Sequence, residues 1–389
     1  MQTGLLAAII ALVVLGWFVA PARADAPVAG HFCLALDTPA TFPHPARSAE
    51  RNSYIVLQAW ETARAEELKS YDPHLSVLVY QNLSAMAEGT NTDGMSSSGV
   101  NYAEADVVHP GWFLTEANGT RISEENYPWL WMANIAVPSY QRQWTANVLA
   151  VLRAGPWDGV FLDDTNTTAE YHVYPQSRIA QLPDDAAYQS AVGSMLAFAG
   201  PRIRESGYLS IANVGAWPQY AKVVAGWLHY LSGAMDQQFV KWSPLRGKGY
   251  VEPARWLTQL REVETTEAMH RRFLAVTHAP PGDNRAIRFG WATVLLGARG
   301  HTAFFARSPH PGDTWAAVYN VELGTPNSRA EEFQDGLWRR WFTNGLVVVN
   351  PQTTSLAVNF GTHTFSGSGL NHSRGTTMAP HTALVLTRG

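Results

Sequence analysis

Eight short apolar segments, each followed by a helical pattern or a long connection, constrain the fold of this chain most strongly. They are rich in β-branched and aromatic residues and occupy positions 32–36, 54–57, 76–80, 160–162, 209–214, 234–239, 273–277 and 302–306. Strands that alternate with helices form parallel sheets, and eight such units predict a closed (β/α)8 TIM barrel of the α/β class. A doubly wound open sheet is the alternative, but no glycine-rich phosphate loop follows the first segment.

Helical patterns between the segments begin at recognisable residues. Pro138 opens one pattern, Asp184 opens a second and Pro253 opens a third, since proline and capping residues are favoured at helix starts. Pro201 falls inside the second pattern, where we expect it to kink or split the helix.

The pattern changes near the C-terminus. Strand-like segments separated by Asn, Pro and Gly follow residue 334, with no helical pattern between them. We therefore predict a barrel over residues 25–334 and a small antiparallel β domain over residues 335–389.

The N-terminus has the pattern of an export signal. An uncharged apolar run over residues 4–20 precedes Ala22-Arg23-Ala24, the small-x-small form that signal peptidase cleaves, so residues 1–24 are predicted to be removed. An uncleaved anchor is the alternative, because the run approaches the roughly 20 residues that span a bilayer. We expect a monomer that is secreted or held in the periplasm or cell envelope, with no stable membrane insertion after cleavage.

Composition excludes some partners. The chain has 389 residues, a formal net charge of -4 and no basic run, which argues against binding to nucleic acid or anionic membranes. The single Cys33 cannot form an internal disulfide and is expected to be a buried thiol. Aromatic residues make up 11% of the chain, so rings are available for a large core or for sugar platforms.

Polar side chains follow nearly every predicted strand, at Asp37, Trp60, Gln81, Asn82, Asp163, Asp164, Asn213, Asp236, Gln238, His278 and Arg307. The C-terminal ends of barrel strands form the mouth in which TIM-barrel active sites are built. One or two of these residues could be helix N-caps, Asp164 among them. The sequence has no HxH, HExxH or cysteine-pair pattern, so neither a metal site nor a cofactor is expected.

Carboxylates gathered at one mouth suit glycoside hydrolysis, which uses one ionised and one protonated carboxyl group. Asp163 shares a strand face with Phe161 and is predicted to be the ionised group. Asp236 is the lone acid of an uncharged strand and is predicted to be the proton donor, although a buried structural aspartate is the alternative. Asp164 is predicted to be a helper or sugar ligand, with a nucleophilic role as the alternative.

Aromatic and polar residues near the same ends are candidates for sugar binding. Indole rings can pack on the C–H faces of sugars while amides and carboxylates bind the hydroxyl groups. The predicted substrate-binding set is Asp37, Trp60, Tyr80, Asn82, Trp112, Asp164, Asn213, Trp217, Gln238, Trp242 and His278.

The order of several segments resembles a known family. YIVLQAW, HLSVLVYQN, GWFLTEANGTRI, WDGVFLDDTN, GAMDQQFVKW, RRFLAVTHA and NGLVVVNP are similar to hypothetical glycosyl hydrolase family fifteen, which is distinct from the glucoamylases. The resemblance implies a barrel followed by a small β domain, with catalytic acids on strands four and six that fall on Asp163 and Asp236. Related barrels often have a Glu near the second position, where this chain has Gln237 and Gln238.

These observations predict an exported glycoside hydrolase that acts on a polysaccharide or oligosaccharide. We expect retention through a covalent intermediate on Asp163, which requires carboxyl groups about 5 to 5.5 Å apart. A non-catalytic carbohydrate-binding envelope protein is the first alternative, and a metal-dependent carbohydrate esterase is the second.

Overall fold

The eight segments form parallel strands that close into a barrel in a computed structural model, which describes residues 27–34, 42–91, 94–307 and 315–389. The strands are β1 (Ala29–Leu34), β2 (Tyr54–Leu57), β3 (Ser76–Asn82), β4 (Gly159–Asp163), β5 (Leu209–Asn213), β6 (Gly233–Asp236), β7 (Arg272–His278) and β8 (Thr302–Arg307). Each strand pairs with its sequence neighbours, and β1 pairs with β8 to close the ring. The predicted TIM barrel is therefore confirmed.

The interior of the barrel is filled by one set of alternating side chains. Successive residues of a strand point to opposite faces, so each strand contributes every second residue to the lumen. This inner cluster comprises Phe32, Leu34, Val56, Leu78, Tyr80, Phe161, Ile211, Met235, Leu274, Val276, Ala303 and Phe305. Residues of opposite parity, such as Val160, Leu162 and Ala234, belong to a separate and larger cluster that includes the surrounding helices.

Eight α-helices lie in the described residues: α1 (Pro45–Arg51), α2 (Thr62–Tyr71), α3 (Tyr102–Val108), α4 (Pro138–Ala154), α5 (Asp185–Glu205), α6 (Ala221–Trp227), α7 (Pro253–Ala268) and α8 (Asn284–Gly297). The three helix starts expected from the sequence are found within one residue. Asp184 caps α5 by accepting a hydrogen bond from the Ala187 amide at 2.9 Å. The same helix is one continuous element through Pro201, so the expected split does not occur.

The long connection between β3 and α4 carries structure of its own. Ala85–Ala87 and Leu130–Met132 pair as two short antiparallel strands, and α3 lies between them in sequence. This connection is bonded to the one that follows β4: the Glu125 amide donates to the His172 carbonyl at 3.0 Å, and the Ala180 amide donates to the Thr115 carbonyl at 2.8 Å. Two long loops on the C-terminal side of the barrel are therefore joined.

The C-terminal segments form antiparallel sheets, as predicted. Their strands are β9 (Glu331–Phe333), β10 (Leu337–Trp341), β11 (Gly345–Asn350), β12 (Leu356–Asn359), β13 (Phe365–Gly367), β14 (Leu370–Ser373), β15 (Gly375–Met378) and β16 (Thr382–Arg388). Six of them form one sheet, and β12 pairs with β15 in a second. Arg340 joins this domain to the barrel, because its guanidinium donates to the Leu295 and Ala298 carbonyls at the end of α8, at 2.8 and 2.7 Å.

Two expectations concern the cysteine and the membrane. Cys33 is a buried free thiol in β1, as expected. None of the helices in the described part of the chain combines the length and the apolar character that crossing a membrane requires. The predicted signal peptide lies outside the described residues.

Candidate active site

Polar side chains continue the inner face of the barrel at its C-terminal mouth. The alternation that places Tyr80, Phe161, Ile211, Met235, Val276 and Phe305 inside places Asn82, Asp163, Asn213, Gln237, His278 and Arg307 next along the same face. Asp163 is the one carboxylate among these six residues. The mouth is therefore a mainly neutral polar ring around a single acidic side chain.

Both oxygens of Asp163 accept a hydrogen bond from a neighbouring strand. The Tyr80 hydroxyl of β3 donates to Oδ2 at 2.6 Å, and the Asn213 amide of β5 donates to Oδ1 at 2.7 Å. The same Asn213 nitrogen donates to Gln237 Oε1 at 2.8 Å. Three consecutive strands, together with the residue that follows β6, thus fix the orientation of this carboxylate.

Burial and the adjacent Asp164 raise the pKa of Asp163 to about 6, while the donors from Tyr80 and Asn213 act in the opposite direction. Desolvation and a like charge both disfavour the ionised carboxylate, whereas hydrogen-bond donors favour it. Above pH 6 Asp163 is therefore a positioned anion at the mouth, which is the state predicted for it.

Asp164 turns out of the strand direction into a separate set of contacts. Its φ is 55°, in the left-handed region that aspartate tolerates better than most residues. Its Oδ2 accepts a hydrogen bond from the Asn82 amide, and its carbonyl accepts one from the Ser84 hydroxyl at 2.7 Å. The other oxygen, Oδ1, lies 3.3 Å from His172 Nε2.

His172 lies between two carboxyl groups. Its Nδ1 is 2.9 Å from Glu124 Oε1, and its Nε2 faces Asp164. Burial opposes the charged ring, but Asp164, Glu124 and Asp163 together outweigh burial and raise the pKa of His172 to about 9. Glu124, Asp164 and His172 are close enough to suggest a cation site. Because the two carboxyl groups face opposite ring nitrogens, however, and Nδ1 has no hydrogen-bond partner among the described residues, we interpret the group as an electrostatic cluster around the ring.

Asp236 does not lie beside Asp163, which corrects the predicted pair. Met235 belongs to the lumen cluster, so its neighbour Asp236 points to the outer face of β6. There Oδ2 accepts a hydrogen bond from the Gln259 amide of α7 at 2.6 Å, and Oδ1 accepts one from the Gln238 backbone amide at 2.8 Å. Asp236 is 3% exposed, and this position matches the structural alternative that the sequence left open.

A second buried carboxyl group accompanies Asp236. Glu262 of α7 is also buried, and neither of its carboxyl oxygens has a hydrogen-bond partner among the described residues. Burial first, and Asp236 second, raise the pKa of Glu262 well above its usual range; burial also raises the pKa of Asp236. An ionised Glu262 would be a buried charge without a partner, so this residue holds a proton behind the barrel wall.

The four predicted tryptophan platforms divide into two groups. Trp60 and Trp242 are 38% and 53% exposed on loops that follow β2 and β6. Trp112 is buried, with its indole nitrogen donating to Ser139 at 2.8 Å, and Trp217 is buried against Phe273. Trp112 and Trp217 are therefore core residues and not platforms.

The remaining candidates have mixed positions. Asn82 is 1% exposed and is committed to Asp164 and to the Ser84 and Ala85 amides. His278 Nε2 lies 3.1 Å from the Gln237 carbonyl, and burial, followed by Arg307, lowers the pKa of His278 to about 4. Gln238 contacts Asp236 and Gln259 through its backbone. Asp37 lies outside the described residues.

The sequence did not identify several residues of this region. Glu124 and His172 come from long loops whose conformation periodicity does not reveal, and they were not linked to Asp164. Exposed rings on the same loops, at Tyr127, Trp129, Tyr171 and Tyr174, were also missed. Aromatic residues within such loops were the available signal.

Two solved structures that align with a TM-score above 0.5 support the fold. The maltogenic α-amylase AmyB from Thermotoga neapolitana aligns with 11% identity and a TM-score of 0.51 over 92% of this chain and 98% of that chain. A family GH13_31 enzyme aligns with 9% identity and a TM-score of 0.51 over 93% and 99%. The glycoside hydrolase domain of PelA from Pseudomonas aeruginosa aligns with 16% identity and a TM-score of 0.45 over 72% and 95%.

Sequence comparison gives the family. No curated protein matches the chain. The model of hypothetical glycosyl hydrolase family 15 matches residues 69–346. This range includes six of the eight barrel strands, β3 to β8, and the mouth residues described above. The chain therefore belongs to hypothetical glycosyl hydrolase family 15, a family of glycosidase-like TIM barrels.

Proposed function

We propose that this protein is an exported glycoside hydrolase that cleaves a polysaccharide or oligosaccharide, with Asp163 as the carboxylate that acts at the anomeric carbon. The observation that carries the proposal is the position of Asp163. It is the acidic member of the polar ring at the mouth, and Tyr80 and Asn213 hold both of its oxygens. A fixed anion at this end of a TIM barrel suits the attack on, or stabilisation of, an oxocarbenium-like centre.

Exposed rings and polar side chains on the rim, which are available to bind a sugar, support the same function. Trp60 and Trp242 expose indole rings near the mouth, and the neighbouring Gln237 and His278 side chains can hydrogen-bond hydroxyl groups. Membership of a hypothetical glycosyl hydrolase family supports the same reaction class. The predicted retaining mechanism stays a proposal, now without Asp236 as its acid.

A carbohydrate-binding protein without catalytic activity is the second candidate. Gln237 favours it. This residue follows β6 and shares the mouth with Asp163, but its side chain is an amide, which has no acidic proton to donate. Binding would use the same rings and polar groups.

Asp163→Asn tests the first candidate against the second. We expect this variant to lose at least about 1,000-fold in kcat while still binding the glycan, because the amide keeps the shape but removes the charge. In the parent enzyme, kcat should fall as pH drops below about 6, since protonation removes the same charge. The measurements are hydrolysis of a glycan panel by product analysis and glycan affinity by calorimetry.

Asp236→Asn is the matched control, because Asp236 lies on the outer face of the neighbouring wall. Equal rates for Asp163→Asn and the parent would refute the assignment of Asp163. A parent that binds a glycan and hydrolyses none would favour the binding protein.

A further inference from the structure

Glycoside hydrolysis needs a proton for the leaving oxygen as well as a carboxylate. Asp236 is enclosed between β6 and α7, and Gln237 presents an amide at the mouth. Asp163 is the carboxylate that acts at the anomeric carbon in the proposed function. The next carboxyl group in the chain is that of Asp164, and 17% of its side chain is exposed. Its buried surroundings can therefore shift its pKa, and a substrate can still reach it.

A chain of buried polar groups ends at Asp164. Glu124 and His172 are 3% and 6% exposed, and the contacts run from Glu124 Oε1 to His172 Nδ1 at 2.9 Å and from His172 Nε2 to Asp164 Oδ1 at 3.3 Å. Glu124 Oε2 and His172 Nδ1 are both buried without a hydrogen-bond partner among the described residues, so the 2.9 Å contact between Glu124 Oε1 and His172 Nδ1 is electrostatic. Glu124 is therefore directed at His172.

Asn166 indicates where the proton of this group resides. Its Oδ1 accepts a hydrogen bond from the Gly215 amide at 2.9 Å, so its Nδ2 is the atom that faces His172 Nε2 at 2.6 Å. An amide nitrogen is a donor, and Nε2 must then act as an acceptor. This arrangement leaves the ring neutral, with its proton on Nδ1 near Glu124. Burial raises the pKa of Asp164 and Glu124 acts in the same direction, whereas a charged His172 would lower it. With the ring neutral, the proton of the group is therefore on Asp164.

The charges around the pair keep this proton in place. Glu124 and Asp163 face His172, and the phenol of Tyr188 from α5 is buried close to Asp164 and Glu124. The raised pKa of His172, about 9, belongs to the alternative in which the ring carries this proton beside an ionised Asp164. The Asn166 contact selects the neutral ring and the proton on Asp164.

We propose that Asp164 is the proton donor of this site, positioned by His172 and Glu124; this role rests on the proposed glycoside hydrolase function. The proton of Asp164 passes to the glycosidic oxygen as the bond to the anomeric carbon breaks, and the bonding pair leaves with that oxygen. The Asp163 carboxylate forms the new bond to the anomeric carbon. Water then displaces Asp163 and returns a proton to Asp164.

The leaving group provides a test that a structural role would not reproduce. The probes are 2,4-dinitrophenyl and phenyl glycosides of α- and β-glucose, galactose, mannose, N-acetylglucosamine and N-acetylgalactosamine, using the sugar that the parent cleaves. Asp164→Asn should lose at least about 100-fold in kcat/KM on the phenyl glycoside, which needs a proton donor, and less than about 10-fold on the dinitrophenyl glycoside, which does not.

The positioning residues have their own readout. His172→Gln and Glu124→Gln should each move the alkaline limb of the kcat/KM profile to lower pH, because each removes a group that holds the proton on the Asp164–His172 pair. Glu125→Gln is the matched control: this adjacent carboxylate faces Arg178, and the limb should not move. These variants also provide the test if Asp164→Asn does not fold.

Equal losses on both leaving groups, or an alkaline limb that does not move in the His172 and Glu124 variants, would overturn the role of Asp164 and leave the proposed function intact. A parent that hydrolyses none of the glycosides would refute the proposed function itself, and the proton-donor role with it.

Discussion

Asp236 and Glu262 form a pair of buried carboxyl groups that makes stability depend on pH. Both pKa values are raised, by burial first, so the folded protein binds a proton that the unfolded chain releases. Stability must therefore decrease as pH rises from the usual glutamate range through the raised pKa of Glu262. The proton of Glu262 is lost at the end of that range, and two buried charges then repel each other.

Glu262→Gln should remove this penalty. The amide can donate to Asp236 without titrating, so we expect a gain of at least about 1.4 kcal/mol in unfolding free energy above neutral pH, the equivalent of one pKa unit. Urea unfolding between pH 4 and 9 measures it, and the variant should show the flatter profile. Glu264→Gln, on the same helix but paired with Arg261, should leave the slope as in the parent. A parent-like slope in Glu262→Gln would contradict the raised pKa of Glu262.

Asp163 and Asp236 show what could be predicted at this scale. Strand alternation predicted that Asp163 shares a face with Phe161, which lies inside the barrel. The four-residue strand β6 has apolar Ala234 and Met235 on opposite faces, so its short pattern does not say which face Asp236 shares. Only the packing of Met235 in the lumen decides it.

At the scale of elements, the connection between β6 and α7 depends on a buried lysine. Lys241 is fully buried, and its Nζ donates to the carbonyls of Ser243, of Leu245 at 3.1 Å and of His278 at 2.8 Å. Trp242, one of the two exposed tryptophans that are predicted sugar platforms, is the next residue along this connection. The lysine therefore fixes the loop that presents the ring.

Lys241→Met should destabilise the protein by about 3 kcal/mol, because it leaves buried carbonyls without a donor. Urea unfolding measures the change. The exposed Lys248 of the same connection supplies the control, and Lys248→Met should stay within about 0.5 kcal/mol of the parent. Similar effects for the two lysines would show that the contacts of Lys241 contribute little.

Strong periodicity made the helices predictable from sequence, and α4 and α7 begin at the expected prolines. The long loops were not predictable in the same way, because pairings such as Glu125 with His172 join residues far apart in sequence. The cluster of Glu124, His172 and Asp164 depends on those pairings. It could therefore not be derived from local pattern.

At the scale of the whole molecule, Arg340 couples the barrel to the C-terminal sheet. It is buried, its Nε donates to the Ser328 carbonyl at 3.0 Å, and it binds the last carbonyls of α8, where a cation also favours the helix dipole. The order of strands and helices predicted both parts of the fold. The contact between them depends on a side chain that has no such periodic signal.

Arg340→Met should uncouple the two parts. We expect a loss of about 2 to 3 kcal/mol and, in scanning calorimetry, a single transition that broadens or separates into two. The adjacent Arg339 pairs with Glu331 on the surface, and Arg339→Met should melt like the parent. An unchanged melting profile for Arg340→Met would show that apolar packing alone joins the domains.

Consecutive residues of β6 serve different layers of the molecule, and this has a consequence for redesign. At position 237, directly after β6, a newly introduced acid would lie at the mouth near Asp163. The native acid one residue earlier, Asp236, lies beneath α7. A redesign of the proposed catalytic site through the sixth strand should therefore substitute Gln237 and keep Asp236.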